Sequence, residues 1–163
     1  MKIIKIIGLY LIVGSFLSCD QEAKLTNDQK YEIINSVKKS QEQFCLDYEA
    51  EDFDAVMSHL DTSRNFFWIY PPETVPVTRE IFAEVLKREF EMNNPIKFIW
   101  DTIQVVPLSS DLAYYQGRFH RVETDTSEIE QVGITFVSAI VIRREEGWKL
   151  LSGQNCLRYL TKE

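Results

Sequence analysis

Glycine, histidine and cysteine are all scarce in this chain: 6 Gly, 2 His and 3 Cys among 163 residues. None of the glycines falls in a loop that could cradle phosphate, so no nucleotide-binding motif of that kind is present. Two histidines, His59 and His120, and so few thiols leave no Cys/His metal set. Nor do they leave a Ser/His/Asp constellation for nucleophilic catalysis. Neither a metal nor a cofactor is therefore expected. Basic residues are also in the minority, 18 Lys+Arg against 25 Asp+Glu, for a net charge of −7. An acidic chain of this kind has little attraction for nucleic acid, which is bound through a basic surface. Long apolar runs are missing as well. The longest, Ile6 to Leu17, has about 12 residues, where a membrane-crossing helix needs roughly 20.

That short run nevertheless has a meaning. Lys2 and Lys5 precede it with no acid between them, and Asp20, Gln21 and Glu22 follow soon after it. This is the charged n-region and apolar h-region of a secretory signal. Its end, Phe16-Leu17-Ser18-Cys19, resembles the lipobox of bacterial lipoproteins, in which a small residue precedes a cysteine that takes up diacylglycerol. It departs from that pattern at Phe16, where leucine is usual, and at Leu17, where a smaller residue is. The resemblance implies a signal peptide over 1–18, a lipid on Cys19, a polar tether over 19–26 and a domain over 27–163. Such a protein sits in the bacterial cell envelope, anchored through its lipid and facing the periplasm or the outer-membrane surface. Loss of Lys2 and Lys5 with the signal takes the net charge from −7 to −9. Partners are then expected to be small, neutral or cationic.

The remainder reads as one domain. Thr26 and Gln29 form a capping-box pattern. After them Ile33, Ile34, Val37, Phe44, Cys45 and Tyr48 recur at three- and four-residue spacing, which predicts an amphipathic helix over about 27–50. Asp52 to Leu60 reads as a second, short helix capped by Asp52 and Asp54. Phe66 to Tyr70 reads as a strand closed by Pro71 and Pro72. Thr78 caps a third helix with Ile81, Phe82, Val85, Leu86 and Phe90 on one side, ended by Asn93-Asn94-Pro95. The period then changes to two. Lys97–Val106, Leu112–Val122, Gln131–Arg143 and Trp148–Leu160 read as four strands, with hairpin candidates at Glu123–Ser127 and Glu145–Gly147. Helices first and an antiparallel meander after them indicate an α+β fold. The third run is apolar on both parities, Ile134, Phe136 and Ile140 against Val137, Ala139 and Val141, which suggests cover on both faces.

The order of elements, with Ala50 to Ala55, Asp111-Leu112-Ala113, Gly117 and Arg143 to Leu150, resembles the nuclear transport factor 2-like superfamily, in particular its SnoaL-like branch, over residues 28–160. The resemblance implies a cone: a strongly curved antiparallel sheet wrapped around a long N-terminal helix with two shorter ones, enclosing an apolar pocket. It also implies a homodimer through the outer face of the sheet. Enzymes of the superfamily, such as ketosteroid isomerase, limonene epoxide hydrolase and scytalone dehydratase, rely on carboxylates or histidines made reactive by burial. Related sequences often carry a histidine and a serine after the Gly-Trp turn, where this chain has Gln154 and Cys156. Glutamine moves no protons at neutral pH.

Parity suggests which residues look inward. Ala113, Tyr115, Gly117 and Phe119 are expected to face the helices, leaving Tyr114, Gln116, Arg118 and His120 outside. Asp101, beside Trp100 and on the parity of Ile103 and Val105, is the candidate general base. Its plainer reading is a strand-end acid paired with a nearby arginine. Tyr48 and Tyr115 could donate to a polarised oxygen. Trp68, Tyr70, Trp100 and Trp148 could line a ligand site, joined by Ser138, Gln154 and Cys156, although aromatics at such spacing also serve as plain core. Whether Cys45 and Cys156 form a disulfide or stand as separate thiols is open. Three functions follow as expectations: a lipid-anchored module binding a small apolar or cationic ligand, an isomerase, dehydratase or hydrolase using Asp101, or a non-catalytic interaction protein.

Overall fold

A computed structural model describes residues 24–70, 75–92, 94–124 and 129–160. The signal segment, Cys19, the tether up to residue 23, the Pro71-Pro72 stop, Asn93 and residues 125–127 of the first hairpin candidate lie outside the described residues. Helix α1 spans Asn27–Glu49, α2 Phe53–Ser58 and α3 Arg79–Glu91; the strands are β1 Phe67–Ile69, β2 Ile96–Pro107, β3 Leu112–Thr124, β4 Glu130–Arg144 and β5 Gly147–Tyr159. No helix among the described residues is long and apolar enough to cross a membrane.

Local chemistry accounts for where the helices begin. The Thr26 hydroxyl accepts from the Gln29 amide at 3.2 Å, and the Gln29 side chain accepts from the Thr26 amide at 2.9 Å. Two orphan donors at the start of α1 are thereby satisfied. Asp52 and Thr78 cap α2 and α3 in the same way, through the amides of Ala55 and Ile81. Helix α1 buries Ile33, Val37, Gln41, Cys45 and Tyr48, a single stripe of four- and three-residue steps. That stripe lies across the sheet.

The strands form one five-stranded sheet in the order β1-β5-β4-β3-β2, antiparallel throughout except where β1 joins β5 in parallel at the edge. The strong curvature expected of a cone is served by two β-bulges, which bend a strand and raise its local twist. On β2 the register steps between Trp100 and Thr102, so Asp101 is the extra residue. On β5, Leu150 and Ser152 pair with the consecutive residues Val141 and Ile140, so Leu151 is the extra one. At each bulge the alternation of inward and outward side chains is inverted. Before the first bulge Phe98 and Trp100 pack inward, and after it Ile103 and Val105 do.

The core lies between α1, α3 and the inner face of the sheet, with Val37, Val56, Leu60, Leu86 and Val141 almost wholly enclosed. Two glycines allow close approach. A Cβ on Gly117 would lie 2.6 Å from the Trp100 ring and 2.7 Å from the Thr102 carbonyl oxygen. One on Gly153 would lie 2.4 Å from the Trp68 ring and 2.6 Å from Ala139. Both tryptophans lie against the strands only because those side chains are absent.

Candidate functional site

Between α1, α3 and the sheet is a cavity of about 160 Å³. Its walls are mainly aromatic: Tyr48 from α1, Trp68 from β1, Tyr70 just after it, Phe82 from α3, and Phe98 and Trp100 from β2. Tyr115 and Phe119 of β3 complete the floor. The rings meet edge to face, Tyr48 with Phe98 at 5.4 Å and with Phe90 at 5.3 Å, and Trp100 with Phe119 at 4.9 Å. This is the favoured geometry of aromatic pairs, and it holds the walls in fixed orientations.

At one end the cavity is bounded by a closed set of charges. Tyr48 donates to Glu89 Oε2 at 2.5 Å, and Arg121 forms an ion pair with the other oxygen of Glu89. Arg121 Nε also lies 2.6 Å from Glu123 Oε1, which accepts from the Tyr159 hydroxyl at 2.8 Å. Burial, and then the Glu89 carboxylate, hold the Tyr48 phenol well above its usual range. Burial alone would lower the Arg121 pKa, but Glu89, Tyr48 and Glu123 together hold it raised. At neutral pH Tyr48 is therefore a donor and Arg121 a cation, and both Glu89 oxygens are engaged.

Elsewhere in the wall stand polar groups of a different kind. Burial pushes the Cys45 thiol from 9.0 up to about 12, so it is neither nucleophile nor base. The Trp100 indole N–H lies near it, outside hydrogen-bond geometry. Thr135, 1% exposed, and Asn155 carry buried oxygens with no hydrogen-bond partner among the described residues. Gln41 of α1 is a further buried polar residue of the same lining.

The residues expected at the site divide between the two faces of the sheet. Tyr48, Trp68, Tyr70, Trp100 and Tyr115 line the cavity. Asp101 does not, and the expectation of an inward general base is corrected by the bulge at that residue. Its carboxylate lies on the outer face, where Arg118 Nε donates to it at 2.8 Å and His120 Nε2 stands 3.2 Å away. Ser138, Gln154 and Cys156 likewise flank a shallow outer depression of about 710 Å³. For Gln154 and Cys156 the cause is the bulge at Leu151, which gives the inward positions to Asn155 and Leu157. Trp148 is a structural prop rather than part of the lining, its indole donating to Ser36 Oγ at 2.9 Å and its carbonyl accepting from Ser40. Cys45 is buried and Cys156 exposed, and both are free thiols. Among the described residues no three His, Cys, Asp or Glu side chains gather as a metal site.

Glu89, Arg121, Thr135, Asn155 and Gln41 were not singled out by the sequence, yet four of them carried a usable signal. Gln41 and Glu89 interrupt otherwise apolar helix stripes. Arg121 continues the inward parity of Tyr115 and Phe119, and Thr135 that of Val137 and Ala139. A polar residue at an apolar position of the pattern is the mark to look for.

A family model described as a SnoaL-like domain matches residues 37–155. No curated protein matches the chain. Among solved structures, a candidate scytalone dehydratase of Novosphingobium aromaticivorans superposes with a TM-score of 0.72 at 12% identity, covering 83% of this chain and 89% of that one. A candidate dehydratase of the NTF2-like family from Streptomyces avermitilis gives 0.68 at 16% identity, over 80% and 99%. A ketosteroid isomerase-like protein from Erwinia carotovora atroseptica gives 0.63 at 15%, over 77% and 96%. At such identities the likeness is one of fold.

Proposed function

The chain belongs to the SnoaL-like domain family, and from that premise we propose that it is a small-molecule binding protein of the bacterial cell envelope, held to the membrane through a lipid on Cys19. The observation that carries the binding reading is an aromatic-walled cavity of about 160 Å³ whose one carboxylate, Glu89, is engaged by Tyr48 and Arg121. An engineered cavity of about 150 Å³ holds benzene, so the natural occupant is of monocyclic size. Enclosed apolar pockets with a few placed polar groups are the usual form of ligand sites. The signal-like N-terminus and the lipobox resemblance support the anchor, and the partly apolar outer face, with Phe136 56% exposed, supports pairing with a second copy.

Native mass spectrometry of protein purified from its own host tests the binding reading. A small molecule retained at one per chain is expected. A chain that carries none, and that no monocyclic aromatic stabilises against heat, overturns it. Replacing Cys19 with serine tests the anchor, with loss of membrane retention expected. If the variant stays on the membrane, the anchor is wrong.

A second reading follows from Glu89, the carboxylate that borders the cavity in contact with a tyrosine. Fold neighbours named for dehydratase and isomerase chemistry make an acid–base role for it worth testing. A turnover abolished by Glu89→Gln, with ligand affinity retained, would favour catalysis over binding. Asp101 has no part in that reading, because its carboxylate faces the other way.

A further inference from the structure

Five buried side-chain polar atoms lack a hydrogen-bond partner among the described residues. Two belong to guanidinium groups that are engaged through other contacts: Arg79 donates to the Met57 carbonyl at 3.0 Å, and Arg121 pairs with Glu89 and Glu123. The other three are neutral, Trp100 Nε1, Thr135 Oγ1 and Asn155 Oδ1, and all three residues line the one cavity. Leaving such an atom buried and unpaired costs about 1–3 kcal/mol, and buried polar groups are nearly always satisfied. Three in a single cavity wall mark a place where the missing partners come from outside the chain.

Their positions are set by the sheet. Trp100 pairs with Phe119, Phe119 with Thr135 and Thr135 with Leu157, so Trp100 and Thr135 stand in one row across the strands. Asn155 is two residues before Leu157 on β5, hence diagonal to Thr135 and within reach of the same small molecule. The indole N–H can only donate and the amide oxygen can only accept, whereas the threonine hydroxyl does either. The complement of this set is an acceptor and a donor close together on one ligand. The two charged residues in the cavity lining, Glu89 and Arg121, are paired with each other, so a charged ligand would lose its hydration here without an unpaired opposite charge to meet it.

We infer that the cavity recognises a small uncharged ring bearing an adjacent hydrogen-bond acceptor and donor, of the lactam or cyclic-amide class, with Trp100 meeting the acceptor and Asn155 the donor. This rests on the binding reading above and narrows it, excluding the cationic ligands that the acidic composition suggested.

Three probes of about equal size separate the possibilities: 2-pyridone, which carries the acceptor–donor pair; toluene, which has neither; and 1-methylpyridinium, which is cationic. Each is titrated into the full chain by calorimetry and by thermal shift. The expected result is 2-pyridone binding at least about tenfold more tightly than toluene, with no binding of 1-methylpyridinium. The isosteric variant Thr135→Val and the variant Asn155→Leu should each lose about tenfold or more of 2-pyridone affinity while keeping that for toluene within about threefold. Because Thr135→Val removes an unpaired buried hydroxyl, it should also melt no lower than the parent when empty. Toluene binding as tightly as 2-pyridone, tight binding of the cation, or variants that weaken both ligands equally would overturn the inference and leave the binding reading standing. If no probe binds at all, the inference fails, and the binding reading falls with it only when native mass spectrometry also finds no retained molecule.

Discussion

The two faces of one sheet in this protein are built from the same strands and do opposite work. On β4 the inward residues Val137, Ala139 and Val141 are buried under the helices, while their neighbours Phe136, Ser138 and Ile140 look out. The inner face carries rings in fixed edge-to-face contact and polar atoms without partners. The outer face carries an ordinary surface ion pair, Asp101 with Arg118, and side-chain amides that bond to one another, Gln116 to Gln104 at 2.9 Å. Polar groups on the outer face are satisfied within the chain or by solvent, whereas several on the inner face are not. That contrast separates a surface from a site more sharply than exposure or hydrophobicity does.

The comparison can be broken by mutation. The largest effect is expected from Leu86→Ala on the inner side, where an enclosed side chain leaves a cavity costing about 2–5 kcal/mol; Val106→Ala on the outer face should change stability by no more than about 0.5 kcal/mol. Chemical denaturation of both variants checks this, and a large loss at Val106 would mean that the outer face is covered in solution. Next comes Gly153→Ala, whose methyl would meet the Trp68 ring and Ala139. Overpacking of that kind costs about 1–3 kcal/mol, and the displaced Trp68 should shift the protein's fluorescence maximum. Asp101→Asn should cost under about 1 kcal/mol, as exposed ion pairs do, and should leave binding in the cavity unchanged. A marked loss of affinity there would restore Asp101 to the site.

The smallest effect concerns the two thiols, one on each side. In the folded protein a water-soluble disulfide reagent should modify Cys156 and spare Cys45 until the chain is unfolded. Burial raises the Cys45 pKa from 9.0 to about 12, so its neutral thiol contributes stability in full below pH 9.0. That contribution is lost progressively as the pH rises towards 12. Cys45→Ala should therefore flatten the alkaline fall in stability between those limits, as read from melting temperature against pH. An unchanged slope would show that Cys45 does not carry the effect.

Most of the fold was legible along the chain. The capping box at Thr26, the cap at Thr78, the stripe from Ile33 to Tyr48 and the period-two runs are local patterns, and the helices and strands formed within one or two residues of where those patterns put them. Part of the aromatic lining followed as well, because Tyr48 and Tyr115 occupy inward positions of unbroken pattern, whereas Trp100 faces inward only because the bulge at Asp101 separates it from the parity of Ile103 and Val105. Ser138 was misplaced for a simpler reason: it lies between the inward residues Val137 and Ala139 and so faces out.

Asp101, Gln154 and Cys156 show where local pattern stops. Sequence periodicity assumes that alternation continues, and nothing in Asp101 or Leu151 announces an extra residue. The chain by itself determined which segments are helix and strand, which stripes are apolar, and that the overall charge is negative. Only the tertiary structure decided which face each polar side chain joined. A bulge is set by how a curved sheet closes around α1, and one inserted residue reverses every side chain beyond it. By that reversal Asp101 was carried out to solvent and Asn155 was brought into the cavity.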